Sequence, residues 1–408
     1  MPNKKKKRKL KVVNLLIVIA ALLVVCVGVF AVTKVFTHKD KEVVPTSSIV
    51  ETETPEPSEE PVQESKVSLF LTGDGLLHDS VYTDAQNDDG TYDFSKQLDE
   101  VLNVVSNYDL AYYNQETILG GTELGLSGYP TFNSPKEFGS YMVSKGFNLV
   151  STANNHCLDK GFSGVQSSRE FWNSQSNVLM SGTNSTEDEY NSIPSIEING
   201  IKIAFLAYCD NTNGINADYS WEVNYYPNHE DEIVSKIQQA KSENDVVIVS
   251  MHWGTEYSHE VNETQYTLAD KFTSAGADII VGNHPHVIQP FQYVNGKPVF
   301  YAMGNLISTQ LNQENLVGMC AGLDITKKED GTIVIDNVRA DLMYTTMEGS
   351  YPDLRYNVQV HPMLSVSDET LQAQECNKDY YTTQELYDAS SSIITSLDSN
   401  ITIGGIFN

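Results

Sequence analysis

The segments Val246-Val247-Ile248-Val249-Ser250-Met251-His252-Trp253-Gly254 and Ile279-Ile280-Val281-Gly282-Asn283-His284-Pro285-His286 decide how this chain folds. In each, a run rich in β-branched apolar residues closes on imidazole side chains. An apolar run of this length, bounded by Gly, reads as a strand buried in a parallel sheet. In open α/β sheets, ligands gather just beyond the carboxyl ends of such strands. Two strands therefore deliver His252, His284 and His286 to one rim, which has the makings of a metal site.

The sequence on either side alternates strand and helix. Strands are expected at 67–72, 109–113 and 147–152, and helices at 94–106, 134–146, 164–174, 230–242 and 263–276. Ser134-Pro135 puts Pro near a first helical turn, where its missing N–H does no harm. Asn199-Gly200 and Asn295-Gly296 each stand between β-prone runs, a strong hairpin signal. Residues 319–326 and 332–343 form a further antiparallel pair. After 366 the pattern weakens; a helix within 371–392 has no evident job. Alternation interrupted by hairpins predicts an α/β sandwich with mixed sheets and helices outside.

Charge and hydropathy divide the chain of 408 residues further. It carries 26 Lys+Arg against 54 Asp+Glu, a formal net charge of -28, and seven of the basic residues fall between Lys4 and Lys11. The rest of the chain is therefore more acidic still, which argues against a nucleic-acid partner. From Val12 to Thr33 the sequence is apolar and uncharged, long enough to span a hydrocarbon core of ~30 Å. The basic residues before it place a cytoplasmic tail at 1–11, a single transmembrane helix at 12–33 and everything later outside the cell. A cleaved signal peptide is the competing reading, but the apolar run is long for one and no Ala-x-Ala site follows. Residues 34–66, rich in Pro, Glu, Ser and Thr, read as an extended tether. The folded domain is expected at 67–365, with a C-terminal extension of unassigned role at 366–408. Cys157, Cys209, Cys320 and Cys376 lie outside the span with no C-x-x-C, so this is not a disulfide scaffold.

Asp74, Glu116, Asn155 with His156, His252, and His284 with His286 fall at the carboxyl ends of five separate strands. Singly, Asp74 reads as a turn former or helix cap, Glu116 as an exposed acid, Asn155 as a turn residue and His156 as a satisfied structural side chain. Together they form a donor set of imidazole, carboxylate and amide without thiolate, suited to a divalent ion such as Zn, Mn or Fe(II). There are enough donors for two ions, with Glu116 between them, and such a pair could clamp a phosphoryl or carboxyl oxygen. His78, Asp79, Glu256 and His259 could support the donors from behind but read better as surface residues, and Cys157 reads better as a buried small side chain than as a nucleophile. No G-x-S-x-G elbow is present. Gly73-Asp74-Gly75 lacks the third glycine of a dinucleotide fingerprint, and no Walker lysine appears.

Thr72-Gly73-Asp74, Asn114-Gln115-Glu116, Ala153-Asn154-Asn155-His156-Cys157-Leu158-Asp159-Lys160-Gly161, His252-Trp253-Gly254-Thr255-Glu256-Tyr257, Gly282-Asn283-His284-Pro285-His286 and Tyr301-Ala302-Met303-Gly304-Asn305-Leu306-Ile307 resemble the successive signatures of the CapA family of bacterial capsule-synthesis, poly-γ-glutamate proteins. The resemblance runs from about residue 67 to 343. It implies a calcineurin-like metallophosphoesterase fold, a four-layer αββα sandwich with a dinuclear site. By the same resemblance Asp74, Glu116, Asn155, His252, His284 and His286 are ligands, and His156 is an acid or transition-state contact. Leu76 stands where the phosphoesterases place a histidine ligand, and Glu116 where they place Asp, so one ion or two stays open.

The implied role is a membrane-anchored extracellular protein in synthesis, export or attachment of a capsular polymer, working with a membrane synthase complex. Two other readings stand: an extracellular metal-dependent hydrolase of a phosphoester or amide, and a metal-free binding domain. Because the chain is acidic, an anionic polymer or phosphoester would need attraction from the ion or from nearby cations such as Lys160 and Arg169.

Overall fold

The structure, a computed structural model, describes residues 64–377 and 379–407. The expected membrane span and nearly all of the tether lie outside them, and among the described residues no helix is long and apolar enough to cross a membrane. The chain runs through β1 (Ser65–Gly75), α1 (Asp79–Asp84), α2 (Ser95–Leu102), β2 (Leu110–Gln115), α3 (Lys136–Lys145), β3 (Leu149–Ser151), α4 (Gly161–Ser174) and β4 (Leu179–Ser181). It continues through α5 (Glu187–Asn191), β5 (Ser195–Ile198), β6 (Ile201–Cys209), α6 (Glu230–Glu243), β7 (Val246–His252), α7 (Glu263–Ala275) and β8 (Ile279–Asn283). Next come β9 (Phe291–Val294), β10 (Lys297–Phe300), β11 (Asn305–Ile307), β12 (Val317–Lys327), β13 (Ile333–Glu348), β14 (Tyr356–Pro362), α8 (Asp368–Ala373), α9 (Thr383–Ile394) and β15 (Thr402–Ile403).

Two mixed sheets result. The first has the order β14-β13-β12-β1-β2-β3-β4, with β11 beside β1 and β15 beside β13; the second is β5-β6-β7-β8-β10-β9. From β1 to β4 and from β6 to β10 the neighbours are parallel. The two Asn-Gly hairpins form as expected, β5 with β6 and β9 with β10.

Period-two alternation sorts each strand's side chains into different cores. Leu69, Leu71 and Tyr112 of the first sheet meet Phe205, Ile248 and Val281 of the second in a shared interior. Phe70, Ala111 and Tyr113 point the other way, against Leu98, Phe138 and Trp172 of the helices. Val247, Val249 and Ile280 likewise face Ile237, Leu268 and Phe272 of α6 and α7. The layers therefore run helix, sheet, sheet, helix. Complete burial of every residue of β7 and β8 explains why those runs are apolar throughout.

Some boundaries differ from expectation. The helix expected at 94–106 ends at Leu102 and finishes as a 3-10 turn, Asn103–Asn107, in which Val104 and Val105 disfavour the α form. The stretch after 366 is part of the core: Leu371, Leu386 and Ile394 belong to the shared interior cluster, and β15 runs parallel to β13.

Candidate metal centre

Asp74 ends the central strand β1, whose neighbour changes from β12 to β11 just before it. Its amide donates to Gly304 O at 3.0 Å. That close approach requires glycine at position 73, where a Cβ would lie 1.8 Å from the same carbonyl. Glu116 follows β2, and Asn155 and His156 lie in the loop after β3. From the second sheet, β7 ends on His252 and β8 delivers His284 and His286. These two histidines flank Pro285 with φ of 98° and 57°, left-handed backbone that wraps the loop around the site.

All six expected ligands come together, drawn from both sheets. Donor atoms of Asp74, Glu116 and His286 lie within 4.8 Å of one another. Glu116 Oε1 is 3.5 Å from His286 Nε2 and 3.8 Å from His252 Nε2. His252 Nε2 in turn lies 3.0 Å from Asn155 Oδ1 and 3.1 Å from His284 Nδ1. Two donor groups thus share Glu116: one with Asp74 and His286, the other with Asn155, His252 and His284.

The electrostatics of this cluster point to a cation. Glu116 is fully buried, and neither carboxylate oxygen has a hydrogen-bond partner among the described residues. An ionised carboxylate in that state is strongly disfavoured without a counter-charge. Burial pushes the Glu116 acid well above its ordinary range, with His286 opposing. Burial and the neighbouring imidazoles hold His252 well below the usual value, and burial lowers His284. Against burial, Glu116 and Asp74 hold His286 up to about 9. Three imidazoles, two carboxylates and an amide oxygen form a set that a hard or borderline divalent ion satisfies at once, the ion taking the place of the proton on His286.

Second-layer contacts not expected from sequence fix the donors. Asn114 Nδ2 donates to Asp74 Oδ1 at 2.8 Å, and Asn305 Oδ1 accepts from His286 Nδ1 at 3.0 Å, leaving Nε2 toward Glu116. His156 stands on the wall of a cleft of about 870 Å³ that opens over the cluster. Its Nδ1 lies 2.8 Å from Asp159 Oδ2, which also accepts from the Phe132 amide. Asp159 follows His156 by three residues, a spacing that could have marked it.

Other expectations need amending. His78, read as a surface residue, lines the cleft, and burial lowers it to about 4. Glu256 and Asp79 are exposed at the mouth, and His259 is tied to Ile288 O at 2.7 Å. Cys157 is buried in the shared interior. Neither Lys160 nor Arg169 lines the cleft; Arg169 pairs instead with Glu189 at 2.8 Å. The helix α4 turns that side chain toward α5 and toward Thr183 O, just past β4, outside the cleft.

A family model described as bacterial capsule synthesis protein PGA_cap matches residues 68–310. The PGA biosynthesis protein CapA of Bacillus subtilis is 33% identical over 175 residues, 43% of this chain and 46% of that protein. The capsule biosynthesis protein CapA of Bacillus anthracis is 31% identical over 169 residues, 40% and 41% of the two chains. The matched stretch spans less than half the length of these curated relatives. Among solved structures, the NAD nucleotidase of Haemophilus influenzae has a TM-score of 0.42 at 15% identity, covering 81% of this chain and 67% of its own. The 5'-nucleotidase precursor of Thermus thermophilus has a TM-score of 0.41 at 13% identity, covering 68% and 54%.

Proposed function

Because the chain belongs to the bacterial capsule synthesis family PGA_cap, we propose that it serves synthesis, export or attachment of a capsular polymer of the poly-γ-glutamate kind. The observation that supports a chemical role is Glu116, buried, acidic and without a hydrogen-bond partner among the described residues, beside histidines that the other sheet delivers. In this reading Asp74, Glu116 and His286 hold one divalent ion, and Glu116, Asn155, His252 and His284 a second. Bound there, Mn, Fe or Zn would neutralise an anionic oxygen of the substrate and polarise the bond beside it. The layer order agrees with a metallophosphoesterase-like αββα sandwich. Asn114 and Asn305 orient the donors. His156, aligned by Asp159, presents its other ring nitrogen to the cleft, placed to give or take a proton on a bound ligand.

The segment from Val12 to Thr33 would anchor the protein in the cell membrane, with its N-terminus cytoplasmic and its domain held outside on the tether, beside a membrane synthase complex. The His156–Asp159 pair also favours a second reading, hydrolysis of a phosphoester or amide outside capsule formation. One pair of experiments separates the two. Cells carrying Glu116→Gln should keep the protein, by immunoblot, and lose surface polymer; undiminished polymer rejects the capsule role. Turnover of generic phosphodiesters that vanishes in His156→Ala, with polymer intact, supports the hydrolase instead.

A further inference from the structure

The walls of the cleft differ in chemistry from its floor. Large apolar side chains that are exposed concentrate around this one opening: Tyr129 at 79%, Tyr351 at 72%, Tyr257 at 52%, Leu354 at 47% and Leu311 at 46%. Exposed rings gathered at one mouth mark a ligand surface. Tyr257 carries a further sign, since its φ of 65° is left-handed backbone that a bulky residue rarely adopts. Its amide is pinned to Pro285 O at 2.8 Å, inside the histidine loop, so its ring sits 6.2 Å from that of His286. Elsewhere on the rim Tyr129 leans on Phe132, which packs edge-on against His156 at 4.6 Å. Aromatic rings therefore lead from the mouth to both the donor cluster and its flanking histidine.

Charge decides what these rings can hold. Asp79, Glu256 and Asp353 line the mouth. Arg355 is the one Lys or Arg among the described residues lining the cleft, and its guanidinium is already taken by Glu375 at 2.7 Å and by Gly349 O. A polyanion running along the walls would find repulsion and, among the described residues, no free Lys or Arg. An acyl chain would strip water from three carboxylates without giving them a donor. A peptide cation is best held by rings that enclose it, whereas these rings lie open on most of their surface. Sugar rings fit all three constraints: their C–H faces lie on aromatic faces and their hydroxyl edges donate to carboxylates.

We propose that the mouth of the cleft binds the sugar rings of a neutral glycan against Tyr129, Tyr257 and Tyr351, beside whatever anionic group reaches the donor cluster. The substrate is then a glycan joined, or being joined, to an anionic unit. The inference rests on the metal-centre reading only for the floor of the cleft.

The test is isothermal titration calorimetry on the purified full chain with the N-acetylglucosamine tetramer, the γ-linked glutamate tetramer and the lysine tetramer. Saturable binding of the sugar is expected, stronger than that of either charged tetramer. Tyr129→Ala and Tyr257→Ala should each weaken it about tenfold, while Tyr381→Ala, 78% exposed and away from the cleft, should leave it unchanged. No saturable binding of the sugar overturns the proposal, as does tighter binding of a charged tetramer or indifference to both tyrosines. Elemental analysis of the same samples reads the floor separately. Sugar binding with no ion found rejects the metal centre alone; a bound ion with no sugar binding rejects the glycan alone.

Discussion

Glu116 is a buried carboxyl group whose two oxygens have no hydrogen-bond partner among the described residues, so ionising it without a counter-ion is costly. Glu116→Gln should therefore abolish stoichiometric metal, read by mass spectrometry of the desalted protein. It should also raise the melting temperature of the chelated form, because a buried uncompensated carboxylate costs about 1–3 kcal/mol or more. The sign with pH follows from His286. Its folded value near 9 exceeds the ordinary 6.5, so the proton it holds contributes fully below pH 6.5, and that contribution is lost as pH rises through 9. Glu116, raised above its ordinary 4.5, shifts in the same sense. Melts of chelated protein should fall between pH 6.5 and 9, and loaded protein should not follow, because deprotonation frees ligands for the ion. The cluster itself was legible because imidazoles and carboxylates stand where apolar strands stop. Asn114, Asn305 and Asp159 were not singled out: Asn and Asp at strand ends are usually turn residues, and only the fold gives them a partner. The rim tyrosines were invisible for the same reason, exposure being a property of tertiary structure.

Among the elements, β1 decides most, for its close pass against Gly304 sets where Asp74 stands. Gly73→Ala should destabilise by about 1–3 kcal/mol or more, since backbone must move to admit one methyl, and should weaken metal retention, measured by competition with a chelating dye. Strands β7 and β8 were legible at once, their length and composition leaving no other reading. The closing helix α9 was harder. Thr382 and Glu385 form a reciprocal cap at its start, a pattern visible in the sequence, yet its apolar residues are too sparse to announce the core they join. Leu386 is only 4% exposed and belongs to the shared interior cluster. Leu386→Ala should lower stability by about 2–4 kcal/mol in denaturant melts, and removal of 366–408 should leave insoluble protein.

For the whole molecule, the donors are split: Asp74, Glu116 and Asn155 come from one sheet and its loops, His252, His284 and His286 from the other. Removing the ion should loosen the contact between sheets. At an ion concentration 100 times its Kd, binding contributes about 2.7 kcal/mol. Dialysis against a chelator should lower the melting temperature by about 5 °C, with recovery on adding Mn or Zn. The alternation of strand and helix made this two-sheet plan readable before any coordinates, whereas the strand order across each sheet depends on crossovers that no local pattern encodes.

An ion lodged between those halves would behave as a rivet. Wherever that cation runs scarce, the two plates would part more often, and proteases would find the gap. The supply of a trace nutrient would then govern how long each copy survives as well as how fast it works.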